Sequence, residues 1–425
     1  MSKVIRNQSY VNALRGELVP ALGCTEPIAI AFASAKARDV LGQFPDKAEI
    51  LCSGNIVKNV KGVMVPNAGG LRGVEIAAVL GIVGGNADRE LQVLEEVTPD
   101  HIEQAKQLIA NGFFTYTLAE GVANLYISAT VHAGEHFARV TIVNHHTFIT
   151  EIVKDGETIY QSCSAKAESE TDWSLWSVRD ILDFADTADL SQIRDVLDRQ
   201  IELNSTISAE GLSNPYGAQV GRTLLDCYGN DVCTRAKARA AAGSDARMGG
   251  CSLPVVINSG SGNQGMTVSL PVIEYAKELN VSKEKLYRAL LVSNLVSIYQ
   301  KHYIGSLSAF CGAVTAACGS GAAITYMCGG DYEAVSRTIT NTVANAGGIV
   351  CDGAKSSCAA KIASSLDAAI MAHYMSMNGR VFQPGEGIVK DDVEKTIKSV
   401  GYVGRVGMAQ TDIEVLSLMM DRVAL

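Results

Sequence analysis

The chain has 425 residues, 47% of them hydrophobic, and a formal net charge of −9. This length is enough for two or three domains with cores of their own, so structural disulfides are not required. The acidic balance and the lack of any Lys/Arg run argue against a nucleic-acid-binding protein. The first residues, MSKVIRNQSY, lack an apolar signal region, so we expect the eleven cysteines to lie in a reducing cytoplasm.

The N-terminal half predicts a mixture of helices and strands. A helical segment breaks at VPALGCTEP, where Pro27 fits the first turn of a new helix. Further along, NLYISATV, FARVTIV and TFITEIV alternate apolar and polar residues around turns, which predicts an antiparallel meander. After Trp173 helical periodicity takes over. We therefore expect an α+β fold, with an N-terminal α/β domain over residues 1–170 and a mainly α-helical catalytic domain over residues 171–425.

Residues 302–330 contain no Asp, Glu, Lys or Arg, and such a length could suggest a membrane span. The segment is rich in Gly, Ala, Ser and Cys, which insert weakly into a bilayer. We therefore predict a closely packed interior helix pair and no membrane partner.

The Gly-rich stretch NSGSGNQG, residues 258–265, contains a literal G-x-G-x-x-G. A dinucleotide site is disfavoured because Pro271 should interrupt the following helix and no βαβ pattern surrounds the motif. A nest of backbone N–H groups for a substrate carboxylate is one alternative, and an ordinary turn is the other. The candidate substrate-binding residues of this stretch are Ser259, Gly260, Asn263 and Gln264.

PNAGG, residues 66–70, is a second loop of this kind and precedes the helical stretch LRGVEIAAVLGIV. Asn67, Gly69 and Gly70 could bind a carboxylate at the N-terminus of that helix, and a plain turn is equally compatible.

Four histidines fall in the predicted meander. They have no cysteine or carboxylate at ligand spacing, so solvated turn residues are favoured over a zinc site. These histidines are His132, His136, His145 and His146.

Cysteines concentrate in two C-terminal segments. Cys311, Cys318 and Cys328 lie in the uncharged segment, and Cys351 and Cys358 enclose CDGAKSSC. The chain has no C-x-x-C, which excludes zinc ribbons, thioredoxin chemistry and ferredoxin spacing. A cluster with three thiolate ligands from two segments remains compatible and would leave one iron open to act as a Lewis acid, and unrelated core thiols are the alternative.

Cys24 in GCTEP is predicted to lie just before a helix start. Free N–H groups and the positive end of the helix dipole should lower the pKa of its thiol, which suits a base or nucleophile. A buried structural cysteine is the alternative.

Taken together, GCTEP, NSGSGNQG, AFCGAVTAAC and CDGAKSSC resemble, in this order, the L-cysteine desulfidases. Those proteins share their helical part with the iron–sulfur L-serine dehydratases. The resemblance implies a [4Fe-4S] cluster on three cysteines. Cys351 and Cys358 match the paired ligands, Cys311 matches the third better than Cys318 does, and Cys24 matches the catalytic base.

The activity implied by the resemblance is α,β-elimination of L-cysteine to hydrogen sulfide, ammonia and pyruvate. The six-residue gap between the paired cysteines favours cysteine over serine, because the serine dehydratases have a longer gap. A serine dehydratase on the same scaffold and a thiol or iron–sulfur redox sensor are the alternatives. The expected partner is a small amino-acid substrate, and the oligomeric state stays open, with a homodimer as one option.

Overall fold

The computed structural model describes residues 3–162, 171–305 and 307–423. Its described residues combine a six-stranded sheet in the N-terminal part with a helical C-terminal part, and a two-stranded sheet joins the two parts, so the predicted α+β class is confirmed. The boundary expected near residue 170 falls beside residues 163–170, which lie outside the described residues. The division into domains 1–170 and 171–425 therefore stays a prediction.

The strands form a two-stranded sheet and a six-stranded sheet. In chain order they are β1 (Pro20–Leu22), β2 (Lys47–Ser53), β3 (Phe114–Ala119), β4 (Tyr126–Ala133), β5 (His136–Val143), β6 (Ile149–Lys154), β7 (Glu157–Gln161) and β8 (Pro254–Val256). The large sheet has the order β3-β2-β4-β5-β6-β7, parallel between β2 and β3 and antiparallel elsewhere. The predicted meander is confirmed as β4 to β6 and continues into β7.

Sixteen α-helices lie in the described residues. They are α1 (Lys3–Glu17), α2 (Thr25–Leu41), α3 (Gly54–Val60), α4 (Val74–Gly84), α5 (Pro99–Ala110), α6 (Val178–Thr187), α7 (Arg194–Ser213), α8 (Val220–Tyr228), α9 (Val232–Met248), α10 (Gly262–Glu278), α11 (Lys283–Ile304), α12 (Gly312–Met327), α13 (Tyr332–Ala346), α14 (Cys358–Met377), α15 (Val393–Tyr402) and α16 (Ala409–Met419).

One face of the large sheet is covered by α2, with α4 packed behind it. Ile127, Ala129 and Val131 alternate along β4 and are buried, as period-two packing requires. A methyl group at Gly81 of α4 would clash with the Ala31 carbonyl of α2, so the two helix backbones touch. This close contact fixes the position of α2, the helix that begins directly after Cys24.

The uncharged segment forms one interior helix, α12, rather than the expected helix pair. Residues 313–327 are all buried among α10, α11, α13 and α14. Small residues are needed because the neighbouring backbones come very close: a methyl group at Gly319 would clash with the Ser293 carbonyl of α11. Within the ranges described, no helix has both the length and the apolar character to cross a bilayer.

Helix α10 continues through Pro271, so the prediction that this proline interrupts the helix was wrong. A proline has no N–H for the carbonyl four residues earlier. That carbonyl belongs to Thr267 and accepts a hydrogen bond of 2.6 Å from the Ser320 hydroxyl of α12 instead. A neighbouring helix therefore replaces the hydrogen bond that the proline removes.

The short strands β1 and β8 pair in antiparallel orientation, with Pro20 opposite Val256. β1 leads directly into Cys24, and β8 leads into the Gly-rich stretch at 258–265. This pairing therefore brings the two motifs together, although they are far apart in the sequence.

The start of α10 is pressed against β8, and this contact predicts a strong effect of Gly265→Ala. The added methyl group would clash with the Val256 carbonyl, which the strand pairing holds in place. We expect the free energy of unfolding to fall by about 1–3 kcal/mol, measured by urea denaturation. Gly16→Ala is the matched control, because its methyl group would meet no neighbouring atom within 4 Å in the described part of the chain. Equal losses in both variants would contradict this account.

Candidate active site

Cys311 and Cys351 lie side by side on two segments joined by backbone hydrogen bonds. The Cys311 N–H donates to the Ile349 carbonyl at 3.0 Å, and the Cys351 N–H donates to the Ala309 carbonyl at 2.6 Å. Cys311 is also the residue that precedes the first turn of α12. The structure therefore brings together one cysteine from each of the two predicted segments.

Cys358 is the first residue of α14 and reaches the same region. It packs in a small apolar cluster with Cys24, Val63, Met248 and Ala354. The turn before it needs a glycine: Gly353 has φ 94°, and a methyl group there would clash with the Lys58 carbonyl of α3. Packing of this turn against α3 places Cys358 next to Cys24.

The three predicted ligand thiols influence one another electrostatically. Burial, followed by the neighbouring Cys351, raises the pKa of the Cys311 thiol to about 12. Burial also raises the pKa of the Cys358 thiol, and Cys351 adds to that effect. Cys311, Cys351 and Cys358 therefore form one group, which we call the thiol cluster.

A buried lysine accompanies the thiol cluster. Burial lowers the pKa of Lys301 to about 8, and Cys351 and Cys311 act against this shift. Among the described residues, Lys301 forms no ion pair within 4 Å. Asp412 also acts on Lys301, but this carboxylate is paired with Lys58, so the buried ammonium favours negative charge at the thiol cluster.

A [4Fe-4S] cluster held by Cys311, Cys351 and Cys358 stays a prediction. Across the described ranges, no three His, Cys, Asp or Glu side chains converge on one metal ion. In a [4Fe-4S] cluster each thiolate binds a different iron, so its ligands stand further apart. Cys318 lies two turns into α12 and directs its sulfur to the Ile339 carbonyl at 3.8 Å, away from the thiol cluster.

Cys24 directly precedes α2, as predicted, but the expected direction of its pKa was wrong. Burial and then the negative charge of Glu26 raise the pKa of the Cys24 thiol well above its usual value, and Arg247 opposes them. The sulfur donates a hydrogen bond to Glu26 Oε2 at 3.0 Å, and the backbone N–H of Glu26 lowers the pKa of the thiol less than burial and the Glu26 carboxylate raise it. Desolvation and a carboxylate therefore outweigh the helix dipole.

Glu26 is a site residue that follows Cys24 by two positions in GCTEP. Asn59 Nδ2 donates to its Oε1 at 3.3 Å, and His146 Nε2 lies 3.8 Å from the same oxygen. Burial opposes ionisation, but His146, Cys24 and Arg247 outweigh it and lower the pKa of Glu26 to about 2. Glu26 is therefore a buried carboxylate at neutral pH.

The prediction that His146 is a solvated turn residue was wrong. Its side chain is only 10% exposed and lies between Glu26 and Gly260. His136, by contrast, is exposed and pairs with Asp155, as expected for a turn. Spacing along the chain could not separate these two histidines, because the contacts of His146 come from distant segments.

A hydrogen bond joins the Gly-rich stretch to the start of α2, next to Cys24. The Thr25 hydroxyl donates to the Gly260 carbonyl at 2.9 Å. Ser259 and Gly260 both have positive φ, which shapes the turn before α10. The Ser259 hydroxyl donates to Asn258 Oδ1 at 2.9 Å, so it is engaged within the protein.

Asn263 and Gln264 lie in the first turn of α10 and have unsatisfied oxygens. The side-chain oxygen of each is buried and has no hydrogen-bond partner in the described part of the chain. Gln264 packs against Gly312, the residue after Cys311, where a methyl group would lie 2.6 Å from Gln264 Cδ. Unsatisfied buried acceptors beside the thiol cluster indicate a ligand that donates hydrogen bonds.

The PNAGG loop only borders the site. A methyl group at Gly23 would clash with Pro66, but Asn67 Nδ2 donates to the Leu94 carbonyl at 2.9 Å. Gly69 lies near Ile102, and Gly70 is followed by three residues before α4 begins. The contacts of Asn67 and Gly69 are thus with other parts of the fold, and substrate binding by Asn67, Gly69 and Gly70 stays a prediction.

Arg247, in the last turn of α9, is a site residue that the sequence did not single out. It is 2% exposed, and its Nε donates to the Gly23 carbonyl at 2.8 Å. Nothing in the sequence SDARMGG marks Arg247 as a site residue. The residues it contacts, Gly23 after β1 and Gly262 of α10, come next to it only in the folded chain.

A separate cavity of about 790 Å³ lies on the open face of the large sheet. Its lining includes Thr130, Thr141 and the pair Arg139 and Glu151, and it contains no cysteine. The thiols, Glu26 and Arg247 supply the reactive groups, so we place the candidate active site around Cys24 and the thiol cluster.

Comparisons with known proteins identify the family of this chain. The family described as Serine dehydratase alpha chain matches residues 88–417, more than half of the chain. A protein of Lachnoclostridium phytofermentans named UPF0597 protein is 54% identical over 415 residues, 97% of this chain and 100% of its own length. UPF0597 proteins of Desulfitobacterium hafniense and Fusobacterium nucleatum are 50% and 42% identical, covering 98% and 97% of this chain and 97% and 98% of their own lengths. The expected relation to the serine dehydratases is thus confirmed, and the chain belongs to the serine dehydratase alpha chain family.

Proposed function

We propose that this protein is a lyase that removes hydrogen sulfide from L-cysteine and yields pyruvate and ammonia. Its family supports a lyase or dehydratase scaffold. The observation that carries the proposal is the grouping of Cys311, Cys351 and Cys358 beside Cys24. The six-residue gap in CDGAKSSC supports cysteine as substrate, and L-serine dehydration is the close alternative.

The proposed cofactor is a [4Fe-4S] cluster held by Cys311, Cys351 and Cys358. When bound with three thiolates, such a cluster supplies an open iron that acts as a Lewis acid toward the leaving group. Lys301 would balance part of its negative charge. Metal binding would also remove the thiol protons that burial otherwise retains.

In the proposed elimination, Cys24 removes the Cα proton of the substrate. The electron pair of the Cα–H bond forms the C=C bond while the C–S bond breaks, and sulfur leaves as sulfide, which is protonated to hydrogen sulfide. The resulting aminoacrylate tautomerises to an imine, and water hydrolyses the imine to pyruvate and ammonia.

The raised pKa of the Cys24 thiol affects its proposed role as the base. The thiol holds its own proton in the ligand-free protein and must lose it before it can act as a base. Glu26, whose Oε2 accepts the thiol hydrogen bond at 3.0 Å, keeps this proton on Cys24, because the pKa of its own carboxyl group is lowered to about 2. Arg247 is the neighbouring charge that favours the thiolate, and we propose that positive charge brought by the ligand acts in the same direction.

A redox-sensing role receives less support. Sensor thiols are exposed and have a lowered pKa, since the thiolate is the form that oxidises. Cys24 is 1% exposed and its pKa is raised.

The substrate is tested by assaying anaerobically purified protein with L-cysteine and L-serine. We expect sulfide and pyruvate in equal amounts from L-cysteine, with kcat/KM at least about tenfold higher than for L-serine. Pyruvate from L-serine without sulfide from L-cysteine would contradict the proposed activity on L-cysteine and would support an L-serine dehydratase. Turnover of neither amino acid would contradict a lyase of this kind.

The cluster is tested by iron and acid-labile sulfide analysis under anaerobic conditions. We expect about four of each per chain, as a [4Fe-4S] cluster requires. Cys311→Ala, Cys351→Ala and Cys358→Ala should each lose most of both elements. Cys318→Ala, in the helix α12 that follows Cys311, is the control and should retain both iron and sulfide. A chain without iron would overturn the cofactor proposal.

The role of Cys24 is tested by Cys24→Ala. We expect turnover to fall by about 10²–10⁴, as for loss of a general base, with unchanged iron content. Cys52→Ala, a buried thiol of β2, is the control and should keep its activity. Loss of iron together with activity would show that Cys24 acts on the cluster rather than on the substrate.

A further inference from the structure

Arg247 is a buried cation whose charge acts on Cys24 and on the Glu26 carboxylate. It is 2% exposed, and among the described residues it forms no ion pair within 4 Å. Its Nε donates to the Gly23 carbonyl, and its two terminal nitrogens have no hydrogen-bond partner among the described residues. Burial of a guanidinium group destabilises the folded protein unless an anion lies beside it. Two N–H groups of a guanidinium can donate to the two oxygens of one carboxylate.

The guanidinium lies between Cys24 and the start of α10. Its bonded partner, Gly23, directly precedes Cys24. On the other side, a methyl group at Gly262 would lie 2.5 Å from Arg247 Nε and 2.9 Å from Cζ. Gly262 is the first residue of a 17-residue helix, so its dipole adds positive potential at the same place.

The same first turn of α10 also carries an unsatisfied hydrogen-bond acceptor. Gln264 is 6% exposed and its buried Oε1 has no donor in the described part of the chain. Arg247 thus lies on the Cys24 side of the α10 start, and Gln264 lies beside Gly312 on the Cys311 side. A cation and an unsatisfied acceptor at the two sides of one short segment complement the carboxylate and ammonium of an α-amino acid.

We propose that Arg247 binds the α-carboxylate of the substrate and that the Gln264 amide oxygen accepts a hydrogen bond from its α-ammonium group. This assignment rests on the proposed function for the class of substrate. In this assignment a side chain binds the carboxylate, and the Ser259 hydroxyl of the Gly-rich turn does not take part because it donates to Asn258.

Binding without turnover tests the proposal directly. L-alanine keeps the carboxylate and ammonium but has no leaving group, whereas ethylamine lacks the carboxylate. By calorimetry on the full anaerobic protein, we expect L-alanine to bind and ethylamine to bind at least about 100-fold more weakly. Arg247→Met should weaken L-alanine binding about 100-fold, and Gln264→Leu about tenfold.

The matched control is Arg239→Met. Arg239 lies on the same helix, is partly exposed and pairs with Glu274, so its loss should leave L-alanine binding unchanged. Where Arg247→Met does not fold, Arg247→Lys keeps the charge and should bind L-alanine with intermediate affinity. Unchanged L-alanine binding in a folded Arg247 variant, or equal binding of ethylamine by the natural protein, would overturn the proposal.

Kinetics separate recognition from a structural role. Arg247→Met should lower kcat/KM for L-cysteine by about 100-fold, mainly through KM, and for L-cysteine methyl ester by less than about threefold, because the ester has no carboxylate. Equal losses with both substrates would indicate a structural role and contradict the proposal. If neither cysteine nor serine is turned over, the proposed function fails, while L-alanine binding that depends on Arg247 would still support the recognition site.

Discussion

The antiparallel pairing of β1 with β8 is the constraint on which the candidate site depends. It joins only three residues on each side, with Pro20 opposite Val256. One strand continues into Cys24 and α2, and the other continues into the Gly-rich stretch and α10. Thr25 and Gly265 reinforce this junction through a hydrogen bond and a close backbone contact. The candidate base and the candidate substrate-binding turn thus share one short sheet as their support.

Charge is distributed unevenly around this junction. Glu26 is a buried carboxylate with Asn59 and His146 beside it, whereas Lys301 and Arg247 are buried cations without ion pairs in the described ranges. Isolated buried charges are destabilising unless a ligand or cofactor compensates them. Lys301 lies beside the thiol cluster and Arg247 lies at the start of α10, which suits an anionic cofactor at the first position and a substrate carboxylate at the second.

The elements that the sequence predicted well are those set by local patterns. Period-two alternation identified β4 to β6, and Pro27 marked the start of α2. Features that depend on distant neighbours could not be predicted in this way. Pro271 is tolerated because Ser320 of another helix donates the missing hydrogen bond, and Arg247 is held by a hydrogen bond to Gly23, 224 residues away in the sequence. The proximity of Cys311 to Cys351 likewise depends on backbone hydrogen bonds between residues 309–311 and 349–351.

The error in the predicted pKa of Cys24 shows how burial changes the chemistry of a helix terminus. An exposed thiol at this position would be readily ionised and easily oxidised. Burial and Glu26 instead keep Cys24 protonated, so the thiol is protected next to a site suited to iron. Reactivity then depends on charges that arrive with the ligand rather than on the resting protein. A base that is protonated at rest is consistent with an enzyme in which substrate binding, and not the free active site, prepares the proton transfer.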